Sequence, residues 1–533
     1  MANEKLSLTF HGAAHTVTGS CMQFTHRGRS ILVDCGMFQG SRTLEKLNAE
    51  PFAFKPKDID AVVLTHAHID HSGLLPKLVK HGFRGSIWCT RPTADLLEYM
   101  LADSGRIQEQ DVERRNRRRD RAGEDPIEPV YTGQDAIAAW RQCRAVERGE
   151  SFEPAPGFQA RLWNAGHILG SASAELNMDG VRIICSGDLG PEYRAFLEDP
   201  AGPADLDFVI CESTYGSRVR EKVTLQERRK LLEAEVTAAM TRGGNLIIPT
   251  FALERTQELL LDFAHMLKRG DIPDVRVFVD SPLANKVTSV FERYSAELED
   301  TDGIDIFNHP SFHFVDDVRE SMRLNTMSGA IILAASGMCE GGRIRHHLLH
   351  NLHRRDSTVL FVGYQAQGTL GRVILEGAKT VRISGNDVNV RAQVRSIEYY
   401  SAHADQAELL EWIDDREPIK GSLFLSHGEP EASEALRRLV QKSAPHLSVL
   451  LPSIGETYDL RPGEPAKRTT TGREDLALET GRDWQNSYAD FVSSLKTRLG
   501  QIRDERKRQK ALEDMRHVLE SYEDFKERRS SGS

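Results

Sequence analysis

The chain is 533 residues long, with 39% hydrophobic and 28% charged residues, the profile of a globular protein with room for several cores. Lysine and arginine number 69 against 79 aspartates and glutamates, a net charge of −10, which excludes an all-over basic surface and restricts any nucleic-acid contact to a local patch. The opening MANEKLSLTF lacks the features of a secretory signal, no apolar run is long enough to span a membrane, and the seven cysteines are scattered and never spaced C-x-x-C, so the expected setting is a reducing cytoplasm with no membrane partner.

In chain order, SLTFHGA, CMQFTH, SILVDCG and DAVVLTH are short apolar runs between glycine-rich turns and predict strands. TADLLEYMLADSGRIQEQDVERRNRRRDR has helical spacing and ends in a charged stretch before Pro126. FQARLWNAGH, SAELNMD, VRIICSGD and DFVICEST return to strands. From 213 the texture changes. ERRKLLEAEVTAAMTRG predicts an amphipathic helix stopped by Gly243 and Gly244, and NLIIPTF a strand covered on both faces. ERTQELLLDFAHMLKRG is a further helix, and VRVFVD, GAIILAAS and TVLFVGY are further strands, together an α/β unit with a largely parallel sheet. After 390 the first pattern resumes in VRAQVRSIEYYSAH and SLFLSHGEP. Trp484, Tyr488, Val492, Leu495, Leu499 and Ile502, then Leu512, Met515, Leu519, Tyr522 and Phe525, recur at helical spacing with dense charge opposite. They predict helices that pack on the body or form a homo-oligomer. The expected division is 1–212, 213–390, 391–465 and a helical extension over 466–533.

The chemistry concentrates in LTHAHIDHSG, where His66, His68, Asp70 and His71 follow an apolar strand. Four such side chains cannot all face a core unpaired. On a loop after a strand they can converge on a borderline ion such as Zn²⁺. Three more candidates occupy the same kind of position: His167 in NAGHILGS, Asp188 in IICSGDLG and His427 in LFLSHGEP. Each alone reads as a turn residue; together with the first cluster they make a ligand set.

That order, H-x-H-x-D-H followed by His, Asp and His, resembles the metallo-β-lactamase superfamily. ILVDCG with Asp34 resembles its first motif, whose carboxylate orients a ligand. CEST with Glu212, SAHAD with His403 and SHGE with His427 are similar to motifs A, B and C of the β-CASP nucleases, and PTFALERTQELL, DSPLA, ASGMCEGGR and GYQAQGTLGR extend the likeness. The resemblance covers residues 5–460. It implies an αββα sandwich of two sheets with an inserted α/β β-CASP domain and the active site in the cleft between them.

Carried over by position, the resemblance implies one zinc on His66, His68 and His167, a second on Asp70, His71 and His427, and Asp188 bridging both. Two Zn²⁺ about 3.5 Å apart would lower the pKa of a shared water, giving a hydroxide that attacks phosphorus in line. His403 is then the proton donor to the leaving 3′-oxygen, held by Glu212, with Asp70 among the catalytic carboxylates. The expected activity is a zinc-dependent ribonuclease leaving 5′-phosphate and 3′-hydroxyl ends, endonucleolytic in mode. A 5′-exoribonuclease or DNA nuclease of the same family, or a small-molecule metallo-hydrolase, is the alternative. DNA-processing members lack the motif C histidine that His427 supplies, and small-molecule hydrolases lack the insertion. Asp405 is equally a hydrogen-bonding residue or a turn former.

Two glycine-rich turns follow apolar strands, one with Ser336, Gly337 and Arg343, the other with Gly363, Gln365, Gly368, Thr369 and Arg372. Neither is a Walker loop; beside a phosphodiesterase centre their backbone N–H groups are candidates to cradle RNA phosphate. Arg114, Arg115, Arg117, Arg118, Arg119 and Arg121 form a basic run, either a solvated helix face or the local patch that RNA needs.

Overall fold

The computed structural model describes residues 5–473 except 41, 193–194, 300, 302–306 and 367, and beyond them 495, 499, 501–502 and 504–530. The chain divides into two units, residues 1–481 and 482–533.

Within the first unit two sheets stack face to face. One runs, in spatial order, Lys467–Thr470, Thr457–Leu460, Leu6–Phe10, Met22–His26, Arg29–Val33, Ala61–Val63, Ser86–Thr90 and Cys143–Val146. The other runs Ser448–Leu450, Ile419–Ser426, Leu206–Glu212, Val181–Cys185, Ala172–Met178, Phe158–Asn164 and Ser151–Ala155. The period-2 alternation of LSLTF and MQFTH turns Leu6, Leu8, Phe10, Met22 and Phe24 inward. There they meet Leu162, Leu176, Ile183, Phe208 and Phe424 of the opposite sheet. Helices close both outer faces. Leu75–Lys80 and Arg91–Ala122 lay Leu78, Leu96 and Leu97 over Leu32, Val62 and Ile87. Gln406–Asp414 and Pro430–Ser443 lay Leu409, Ile413 and Leu436 over Ile184, Val209 and Leu423. This is an αββα sandwich.

A third sheet is inserted between Leu206–Glu212 and Ile419–Ser426. Its order is Phe312–Phe314, Val277–Val279, Ile331–Ala334, Leu246–Pro249, Thr358–Phe361 and Gln393–Ser396, with every pairing parallel. LIIP, IILA and TVLF are buried at all positions, as strands covered on both faces must be. Two strands depart from the expected division. Gln393–Ser396 pairs with Thr358–Phe361, so the segment after 390 still belongs to the middle sheet. It is a largely exposed edge strand, tied by Arg395 to Glu235 at 2.7 Å. Lys467–Thr470 lies in the segment expected to be helical and pairs with Thr457–Leu460. All four of its residues are exposed, so no apolar alternation announces it.

In the second unit Glu505–Ser530 is a helix. Leu512 and Val518 on it are exposed, whereas Trp484, Tyr488 and Val492 lie outside the described residues. Among the described residues, no helix is long and apolar enough to cross a membrane.

Strand direction places the site. Val181–Cys185, Leu206–Glu212 and Ile419–Ser426 are mutually parallel, so Asp188, Glu212 and His427 emerge at one end of their sheet. Arg29–Val33 and Ala61–Val63 are parallel in the facing sheet, bringing Asp34 and the His66–His71 turn to their own common end.

Candidate metal centre

The ligand turn is assembled backbone to backbone. A single helical turn, Ile69–Ser72, follows His68, and two segments lie directly on it: after Arg29–Val33, Cys35 N donates to His71 O, and before Met22–His26, Ser20 N donates to Asp70 O, both at 2.8 Å. Gly36 is required there, because a Cβ would sit 1.6 Å from Asp70 O. Gly190 does the same for the second ligand loop, where a Cβ would meet Gly166 O at 1.7 Å. Asp34 and His427 both adopt left-handed backbone, at φ 63° and 49°. Such residues cost about 1–3 kcal/mol each and persist where surrounding contacts over-determine them.

Two groups of side chains converge. His66, His68, His167 and Asp188 form one; Asp70, His71 and His427 form the other, and Asp188 also reaches the His427 side. All are buried except His68 and Asp70, which are half-buried. Their tautomers are set from outside. His167 Nδ1 donates to Ala402 O at 2.8 Å, His71 Nδ1 to Asp34 Oδ2 at 2.7 Å, and His66 Nδ1 to Thr65 Oγ1 at 3.1 Å, with the Thr65 hydroxyl in turn donated to Asp34. Burial holds His66 and His167 well below the usual imidazole range, so these two rings present the lone pair of Nε2 inward, whereas at His71 burial is outweighed by Asp188 and Asp34, which favour a proton on both of its nitrogens until a metal displaces it. His66 Nε2 and His167 Nε2 then stand 3.2 and 3.1 Å from His68 Nδ1, and 3.6 and 3.5 Å from Asp188 Oδ2. One N–H on His68 can satisfy only one of these acceptors. On the other side His71 Nε2 lies 3.0 Å from His427 Nε2 and 3.1 Å from Asp188 Oδ1, with Asp70 Oδ2 3.7 Å from His427. Asp188 Oδ1 is buried and makes no hydrogen bond. Nitrogens packed this closely repel one another unless a proton or a metal cation lies among them. The first donor set, three imidazole nitrogens and a carboxylate, is that of a zinc-type site. Burial alone would raise the Asp188 carboxyl, but His427 and His71 hold it well below the usual carboxylate range.

Beside this cluster Glu212 is buried and accepts from Leu189 N at 2.6 Å and from His403 Nδ1 at 3.3 Å. His403 Nδ1 is also 3.9 Å from Asp188 Oδ2. Burial opposes its protonation, yet Glu212 and then Asp188 outweigh it and push its pKa up to about 9. Tyr215 packs edge-on against the ring at 5.7 Å. Asp405 is the N-cap of Gln406–Asp414, in a reciprocal box with Glu408. It also accepts from Arg220 N at 2.8 Å, while Arg220 Nη2 donates to His403 O at 2.6 Å.

The glycine-rich turns lie together on the inserted α/β part. Gln365 Nε2 donates to Gly337 O at 3.1 Å, Gly371 N to Met338 O at 3.2 Å, and Ser336 Oγ accepts from Gly341 N at 3.2 Å. Gly363 and Gly368 flank Gln365 on the second turn, and Thr369 caps the short helix Leu370–Leu375. Arg343 is engaged by Asp280 at 2.6 Å and by two backbone carbonyls, and Arg372 by Glu376 at 2.7 Å. The Arg114–Arg121 run lies on Arg91–Ala122, largely exposed, with Arg114, Arg117 and Arg119 paired to Asp111, Glu113 and Glu124.

Several participants are absent from the sequence reading. Thr65, one residue before His66, links Asp34, His66 and His71; its adjacency to the motif is the only signal for it. Ser20 donates to Asp34 at 3.0 Å and Thr214 contacts His427 at 3.2 Å, and neither carries a distinguishing pattern. Glu254, in left-handed backbone at φ 69°, reaches from the inserted part to accept from Leu169 N, two residues past His167.

A sandwich whose strand ends gather two histidine–carboxylate clusters, joined by one aspartate, defines a metal-dependent hydrolase. Known proteins narrow the class. The chain matches the metallo-beta-lactamase superfamily over residues 16–223, the Beta-Casp domain over 256–374, and the Zn-dependent metallo-hydrolase RNA specificity domain over 387–452. It is 37% identical to Ribonuclease TTHA0252 of Thermus thermophilus, over 80% of this chain and 94% of that protein. It is 31% identical to transcription termination factor FttA of Methanothermobacter thermautotrophicus, over 80% of this chain and 68% of the relative. An RNase J-like protein of Methanocaldococcus jannaschii is 30% identical, over 82% and 96%. A solved protein of unknown function from Enterococcus faecalis shares the fold, with a TM-score of 0.51 at 15% identity over 86% of this chain and all of that one. The chain belongs to the β-CASP branch of the metallo-β-lactamase superfamily.

Proposed function

We propose that the protein is a zinc-dependent ribonuclease of a reducing cytoplasm that cleaves RNA internally and leaves 5′-phosphate and 3′-hydroxyl ends. The observation that carries this is the Glu212–His403 pair, set beside Asp188 where the two ligand groups meet. One zinc would be held by His66, His68, His167 and Asp188, a second by Asp70, His71, His427 and Asp188. When bound, the pair supplies Lewis-acid stabilisation of phosphoryl charge and an acidified water. The chain's own residues do the rest. Asp34, Thr65 and the Ala402 carbonyl hold the ligand rings in the metal-facing tautomer. Glu212 holds Nδ1 of His403, which leaves Nε2 to deliver a proton to the departing 3′-oxygen. Ribonuclease names among the relatives and the match to an RNA specificity domain support RNA as the substrate class.

The test uses one RNA labelled at either its 5′ or its 3′ end. Internal cleavage gives discrete fragments from both labels at the earliest times. Mononucleotides released only from the 5′ label would replace the endonuclease reading with an exonuclease. His403→Ala should keep its metals and lose about 10²–10⁴-fold in rate. That loss should shrink on a phosphodiester with a good leaving group; an equal loss on both substrates would make His403 structural.

A further inference from the structure

Among the described side chains, Phe251 and Tyr364 are the only large aromatics that stand exposed, at 47% and 41%. Chance would scatter them. Instead both border the paired glycine-rich turns. The Phe251 ring covers Gly337 so closely that a Cβ there would lie 2.8 Å from it, and Gln365, next to Tyr364, donates to Gly337 O. Tyr364 is also one end of a stack. The exposed guanidinium of Arg218 lies 4.5 Å from the centre of its ring and 5.1 Å from that of Tyr215. Tyr215 in turn meets His403 at 5.7 Å. Arg218 has no ion pair with any described residue, unlike Arg220 beside it, which is bonded to Glu408 at 3.2 Å. A continuous line of aromatic rings, with one planar cation unpaired among the described residues, therefore runs from His403 across to the inserted α/β part.

Such a line suits one ligand chemistry. An unpaired nucleobase stacks on tyrosine or phenylalanine rings and on a guanidinium plane, and a stacked arginine keeps its edge donors for phosphate. A base-paired duplex cannot offer its base faces. We propose that Tyr215, Arg218 and Tyr364, extended by Phe251, form a stacking subsite that holds an unpaired base flanking the scissile phosphate. This rests on the ribonuclease reading above and adds to it the side chains that hold a base beside the cleaved bond.

The test compares the zinc-loaded wild type with Tyr364→Ala, Arg218→Ala and Tyr364→Phe on a short single-stranded RNA with one cleavage site. A matched series carries an abasic ribonucleotide at each position around that site. Removing one base–aromatic stack costs roughly 5- to 150-fold in affinity. Tyr364→Ala should weaken binding of the intact RNA by an amount in that range, and Tyr364→Phe should retain it. At one abasic position the wild type should fall to the level of Tyr364→Ala, and the two proteins should become equal. Equal losses on intact RNA and on every abasic RNA, or no loss at all, would overturn the subsite while leaving the ribonuclease reading in place. A zinc-loaded wild type that cleaves no RNA would overturn both.

Discussion

Two of the buried polar clusters among the described residues are built on opposite plans. In the inserted α/β part, Asp262 and Glu258 are enclosed, yet each has a cation of the chain's own. Arg228 lies 2.9 Å and Arg229 2.8 Å from Asp262, while Arg228 and Arg255 lie 3.3 and 2.6 Å from Glu258. Tyr400 OH donates to Asp262 at 2.7 Å and its ring faces Arg228 at 4.3 Å. In that cluster each buried carboxylate meets at least one guanidinium. In the sandwich, the rings of His66 and His167 are turned so that their Nε2 atoms face Asp188, and among the described residues no lysine or arginine pairs with it. The first cluster has permanent guanidinium charges folded into it; the second has only imidazoles, whose protons a metal can displace. A buried polar group is expensive in either place, so what separates structure from function is whether the polypeptide supplies the counter-charge.

The sharpest break should come from Asp188, the one side chain common to both ligand groups. Asp188→Ala should remove metal from both and reduce RNA cleavage to background, measured as metal per chain by elemental analysis beside turnover; full metal content with normal turnover would show that the lone pairs are satisfied some other way. Asp262→Ala should act in the reverse sense. Removing the carboxylate that buried Arg228 and half-buried Arg229 share should cost about 3–5 kcal/mol, seen as a lower melting temperature with metal content unchanged. If melting is unaffected, the second cluster is not the structural element described. The smallest effect should come from Asp34→Asn, which touches neither an ion nor substrate. An amide can donate to His71 Nδ1 and so disturb its tautomer, and loss of such a partner typically lowers metal affinity about 10–100-fold. Competition with a chelator measures it, and unchanged affinity would mean that Thr65 and packing alone orient the ring.

Strongly periodic elements were legible in advance. LSLTF, NLIIPTF and ERTQELLLDFAHMLKRG declare themselves by spacing, and all are strands or helices in the fold. The placement of elements whose side chains stay wet was not, since burial is what makes an apolar pattern necessary; QVRS lies in a run expected to be a strand, but of the other part. QVRS and KRTT are edge strands held mainly by backbone pairing, and each fell on the wrong side of the expected division. Asp405, open between two local roles in the sequence, is a helix N-cap, because its carboxylate meets the N–H groups of Ala407 and Glu408.

The sequence by itself determined the order of chemically capable residues: a dense His–Asp turn, then single histidines and an aspartate after apolar strands. Local chemistry demands them there, since a strand end is where a polar side chain can leave a core. Only the tertiary structure decided which of them meet. Parallel pairing of Leu206–Glu212 with Ile419–Ser426 brings Glu212 to the end that carries His427, across more than two hundred residues of chain. The proximity of His403 to Glu212, the tautomers imposed by Asp34 and the Ala402 carbonyl, and the line from Tyr215 through Arg218 to Tyr364 depend on contacts between segments far apart in sequence. Spacing along a chain carries no record of such contacts, because hydrogen bonds and ring stacking act over a few ångströms of space and are indifferent to how much chain lies between the partners.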